Sequence, residues 1–198
     1  MAVTLNASTS TGYIQTADTS GDLALQSNGT TQFTVASTGA YGQLKASTVV
    51  TTTGGTSIDF TSLPSWAKRI TVMFNGLSLN STSTLRFRLG TSGAVETSGY
   101  VGTAINSAAA PTVQSFTAGF DMYGALTAAT AAYGAVTFSL IGSNAWVANG
   151  IIATSLVGAN SISGTKTLAG TLDMVRITTV SGIDTFDANG GVNILYEG

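Results

Sequence analysis

The chain has 198 residues, only 8% of them charged, and it contains neither His nor Cys. Those absences exclude imidazole-based nucleophilic triads, disulfide frameworks and thiolate metal sites. The net charge is -2 and the seven basic residues are scattered from Lys45 to Arg176, whereas a duplex-binding protein clusters Lys and Arg to displace counterions, so no nucleic-acid partner is expected.

Residues 1–46 hold few large apolar side chains, Leu5, Tyr13, Phe33 and Tyr41 among them. Met1 to Ser8 offers no basic or apolar region of a secretory signal. Asp22–Gln26 reads as a strand and Thr30–Val35 as the next, joined at Ser27-Asn28-Gly29, because Asn-Gly supplies the positive φ of a tight turn. Gly39 and Gly42 mark a further turn. So thin a core cannot offset the entropy of ordering the segment. Residues 1–46 are therefore expected to be stable only against a partner, most simply copies of the same chain. The Thr51–Thr56 stretch fits a long turn as well as a domain boundary, and residues 47–56 are taken as a linker.

Apolar density rises from Ser57 onward. Ser57–Phe60 reads as a short strand and Leu63-Pro64-Ser65-Trp66-Ala67 as a turn, since Pro fixes φ and restrains its predecessor. Lys68–Asn75 is the clearest strand, with Ile70, Val72 and Phe74 on one face at period two. Ser83–Leu89 repeats the pattern, Leu85, Phe87 and Leu89 inward and Arg86 and Arg88 outward. Further strands are expected at 98–105, 113–121, 134–141, 145–156, 162–170, 172–180 and 191–196. Ala125–Ala132 is read as a loop with at most one turn of helix, because its Thr residues and the flanking Gly124 and Gly134 offset the helix preference of Ala. The fold class is all-β: an antiparallel, jelly-roll-like β-sandwich over 57–198, preceded by a strand-rich oligomerisation segment. The best apolar run, Ala145–Val157, is interrupted by Asn149 and Gly150 and is too short for a membrane span.

Chemistry-bearing residues are few. Asp184 and Asp187 are close in sequence, and a glycosidase needs two carboxylates across one bond. Ile183–Gly191, however, has the composition of a turn in which Asp and Asn bond the local backbone. Asp184, Asp187 and Asn189 alternate like calcium ligands but lack the rest of a calcium loop. No catalytic residue, metal or cofactor is expected, and no enzyme. Tyr100, Tyr123, Tyr133 and Trp146 lie near expected turns or strand ends and are the candidate receptor-binding aromatics; the competing role for each ring is to fill the core or a subunit interface.

Gly21–Val35 resembles short β segments in fibre proteins of tailed bacteriophages. Ile58–Gly76 resembles a segment of many small phage virion proteins, and Gly191–Glu197 is similar to the last strand of that module. The resemblance implies a virion surface protein assembled in the host cytoplasm: a homotrimeric tail or baseplate fibre with an N-terminal attachment part (1–46) and a sandwich head (57–198). Its implied partners are further copies of itself, other virion proteins through the N-terminal segment, and a host-surface glycan. A capsid-surface fibre or decoration (cement) protein, and a carbohydrate-binding module, are the alternatives.

Overall fold

A computed structural model of the protein describes residues 23–27, 30–35, 44–52, 54–107, 110–155, 158–187 and 190–198. The Asn28-Gly29 turn, the turn at Gly39 and Gly42, and Asn189 lie outside the described residues. All regular structure described is β, in sixteen strands. The chain divides into two compact units, Met1–Gly42 and Gln43–Gly198. In the first, β1 (Leu23–Ser27) and β2 (Thr30–Val35) pair antiparallel, with an irregularity between Leu25 and Gln26.

The second unit is an antiparallel sandwich. Its large sheet contains β3 (Leu44–Ala46), β4 (Val50–Thr51), β6 (Arg69–Leu77), β9 (Tyr100–Asn106), β10 (Thr112–Phe116), β12 (Ala132–Gly142), β13 (Ala145–Thr154), β14 (Gly158–Thr167) and β16 (Gly191–Glu197). Their order is β10-β9-β14-β13-β12-β6-β16-β3, with β4 also on β16. The small sheet contains β5 (Ser57–Phe60), β7 (Leu85–Thr91), β8 (Ala94–Val95), β11 (Phe120–Asp121) and β15 (Met174–Thr179), in the order β11-β7-β15-β5 with β8 on β7.

The pairing is nested. The edge strands β3 and β4 pair with the last strand β16, β5 pairs with β15, β6 with β12, and β7 with β11. Each strand meets its counterpart counted from the other end, which is the double Greek key of a jelly roll. Two insertions widen it. The β9–β10 hairpin sits between β7 and β11, β13 and β14 sit between β12 and β15, and the two insertions join through β9–β14 pairing.

The period-two pattern dictates which side chains meet between the sheets. Ile70, Val72 and Phe74 of β6 face Leu85, Phe87 and Leu89 of β7, and all six are buried. Ring contacts bridge the layers: Phe74–Phe87 at 5.9 Å, Phe120–Phe138 at 5.5 Å and Tyr100–Phe120 edge-on at 5.0 Å. Each such side chain contributes about 1.5–3 kcal/mol by burial. Small residues make room for the largest. Gly102, Gly164 and Ala148 are register neighbours on β9, β14 and β13, and the Phe116 ring lies over the two glycines.

The unit boundary differs from the expected linker. Leu44–Ala46 and Val50–Thr51 form two short edge strands on β16 rather than the end of an N-terminal segment and a connection. Two- and three-residue strands show too little alternation to register as a period. The Leu63–Ala67 turn is closed by Ala67 N–H donating to the Pro64 carbonyl at 3.0 Å. Ala125–Ala132 contains no helix; Leu126 and Ser83 form an isolated bridge there.

Candidate interaction surface

The two outer faces differ in charge. On the small sheet, Arg86 and Asp121 oppose each other across β7 and β11, with Nε–Oδ1 and Nη2–Oδ2 at 2.6 and 2.8 Å. Arg176 and Asp59 do the same across β15 and β5, both contacts at 2.6 Å. Hydrogen bonding to Asp121 raises the Arg86 guanidinium above its ordinary value against the opposing effect of burial, and Asp59 acts likewise on Arg176. These four side chains neutralise one another, while Arg88, opposite Arg176, donates its Nε–H to the Ala118 carbonyl at 2.8 Å.

The outer face of the large sheet is different in kind. Strands β9, β10, β12, β13 and β14 together hold one charged residue, Lys166, and it is buried on the inner side. Outward, the register lays residues out in rows. One row runs Val113, Ile105, Ser161, Ile151, Ala135 and Met73. Two residues along, the next runs Ser115, Thr103, Ser163, Asn149, Thr137 and Thr71, with the last two hydroxyls 3.2 Å apart. Val101, Thr165, Val147 and Ser139 form a third row, which ends on the Arg69–Glu197 ion pair of β6 and β16. Val101 and Ile151 are each 65% exposed and Val113 is 62% exposed. Exposed aliphatic residues this numerous on one charge-poor face make it the candidate interaction surface.

The four aromatic candidates do not form one site. Tyr100 and Trp146 point inward and are buried, so neither offers a ring face to a ligand. They flank Lys166 in one cross-strand row, with the Lys166 ammonium 5.5 Å from the Tyr100 ring centroid. Burial pushes the Tyr100 phenol up to about 12, and its oxygen accepts from Leu89 N–H at 2.9 Å. Tyr123 is half-buried against the core, while Tyr133 alone of the four is exposed, on the outer side of β12 opposite Ala153. Alternation along each strand decides this outcome: the rings at 100 and 146 fall on inward positions, that at 133 on an outward one.

Lys166 forms an ion pair with Glu96 and donates to the Thr167 carbonyl at 2.8 Å. Burial alone would raise the Glu96 carboxyl, but hydrogen bonds from Lys166 and from Ala169 N–H outweigh it and hold the group below the usual carboxylate range. The cluster ties the β8–β9 connection to β14. Asp184 and Asp187 are likewise engaged: Asp184 accepts from the nearby Ser181 hydroxyl, and Asp187 from the hydroxyl of Ser78, far off in sequence, at 3.0 Å. Among the described residues no group of three or more acidic side chains is placed to hold a metal ion. No helix among them is long and apolar enough to cross a membrane.

A groove of about 510 Å³ opens at one edge of the sandwich, between β3–β4 and β5, floored by Phe60, Leu63, Ile194 and Tyr196. Its one ionised group is Asp59, already engaged by Arg176. Sequence reasoning missed the outer face, although the signal was present as apolar residues at 101, 105, 113 and 151 in otherwise Ser/Thr/Ala-rich strands. No protein-family model, curated protein or solved structure matches this chain.

Proposed function

We propose that the protein is a non-enzymatic structural component of a bacteriophage virion, most simply a homotrimeric tail or baseplate fibre that displays its sandwich for attachment to the host surface. The observation that carries this reading is the uncharged outer face spanning five adjacent strands. A surface with that composition is costly to leave in water and is suited to lie against other protein. The jelly roll recurs in capsid and lectin domains, which is an analogy of fold and adds only weight. The resemblance of Ile58–Gly76 and Gly191–Glu197 to virion segments points the same way. A chain without imidazole or thiol, whose acidic groups among the described residues bind hydroxyls, amides, guanidinium groups and an ammonium of the same fold, has few side chains left for chemistry.

Electron microscopy of purified particles, with antibody labelling of the sandwich, tests this. The reading expects label on the particle surface, at the tail or baseplate for a fibre and on the shell for a decoration protein. Particles without the protein would refute it. For host attachment, a glycan array is informative with Tyr133→Ala, since Tyr133 is the exposed ring; binding unaffected by that change removes the aromatic from the receptor site.

A further inference from the structure

We propose that the outer face of the large sheet is where a second copy of this chain packs, with Ile151 near the middle of the contact. The inference rests on the assembly reading above and specifies its surface. Three observations identify the occupant. First, β9, β10, β12, β13 and β14 present no charged side chain outward, and the two charges at the β6–β16 end, Arg69 and Glu197, neutralise one another. The face can therefore meet its own image without like-charge repulsion, whereas a charged partner would lose hydration against it and gain no counter-charge.

Second, the area matches. Seven strands from β10 to β16, spaced about 4.8 Å and crossed by rows over some seven residues, present on the order of 800 Å². That is about what each partner contributes to a standard stable interface. Third, the chemistry is self-complementary. The aliphatic row Val113, Ile105, Ile151 and Met73 lies beside the hydroxyl and amide row Thr103, Ser163, Asn149 and Thr137. Hydroxyls and amides both donate and accept, so a rotated copy of the same pattern satisfies them. Small side chains also allow the sheets to approach closely.

The chain has no cysteine of its own, so single-cysteine variants report accessibility cleanly. Ile151→Cys and Ile183→Cys are compared in the full chain by maleimide labelling, and wild type is compared with Ile151→Arg by sedimentation velocity. Both positions are exposed in the single subunit, at 65% and 79%, so neither change disturbs the core. The expected result is a multi-subunit wild type, labelling of Ile151→Cys slowed about tenfold relative to Ile183→Cys, and association weakened about tenfold or more by Ile151→Arg. Should Ile151→Arg fold poorly by circular dichroism, Val113→Asp in the same row gives the same reading. A multi-subunit wild type in which Ile151→Cys labels as fast as Ile183→Cys overturns the assigned face and leaves the assembly reading standing. A wild type that sediments as one chain at tens of micromolar overturns both.

Discussion

Substituting Gly102 by Ala sets two effects of opposite sign against each other. Gly102 adopts extended strand geometry open to any residue, so the backbone entropy removed from the unfolded chain would by itself stabilise by about 0.4–1 kcal/mol. Space argues the other way. A Cβ at position 102 would stand 2.4 Å from the Ser163 carbonyl oxygen, 2.6 Å from Gly164 Cα and 2.7 Å from the Phe116 ring. Two of those atoms are backbone of the neighbouring strand, so relief requires β9 and β14 to part, not a side chain to swing. Overpacking of this kind costs about 1–3 kcal/mol, leaving a net loss of about 1–2 kcal/mol. With a urea dependence of ~2 kcal/mol per molar, the unfolding midpoint falls by about 0.5–1 M at unchanged slope. Gly55→Ala is the control, because its Cβ would meet nothing nearer than 3.5 Å. Urea titrations at one protein concentration hold any assembly contribution fixed. A Gly102→Ala midpoint equal to or above wild type would refute the close-approach reasoning.

Asp121→Asn should cost about 3 kcal/mol, because it leaves the Arg86 guanidinium without its counter-charge where the two side chains are 12% and 6% exposed. Asp59→Asn, at a pair 31% and 29% exposed, should cost less than about 1 kcal/mol; equal losses in parallel denaturation curves would contradict the assignment. The Glu96 carboxyl is held below its ordinary value in the fold, so its stabilisation is fully present above the unfolded-state value and is lost as pH falls through the folded one. Glu96→Gln should flatten the acid limb of a stability–pH profile, and an unchanged limb would count against the Lys166 pairing. Trp146→Ala should destabilise by about 3–5 kcal/mol, while Tyr133→Ala should stay within about 0.5 kcal/mol, as thermal unfolding will read.

Much of the sandwich was legible because alternation is a strong signal wherever one sheet face is buried. Ser57–Phe60, the β6 face of Ile70, Val72 and Phe74, and the β7 face of Leu85, Phe87 and Leu89 follow directly from it. Nesting was not legible beyond its class, since pairing β5 with β15 or β7 with β11 depends on contacts far apart in sequence. The edge strands β3 and β4 were hidden by their brevity, and their pairing with β16 moved the boundary to Gly42/Gln43. The candidate aromatics were chosen by proximity to turns, but inward or outward register decides exposure. That register puts Tyr100 and Trp146 beside Lys166 in the interior and leaves only Tyr133 open to solvent. The outer face required the order β10-β9-β14-β13-β12, because its rows join residues from two insertions that only the folded sheet brings together.

Native mass spectrometry of the full chain at micromolar concentration tests most directly whether this molecule works by association. The account predicts a discrete complex of three chains, dissociating to single folded subunits when Ile151 is made charged. A lone subunit as the dominant species across the concentration range would contradict it.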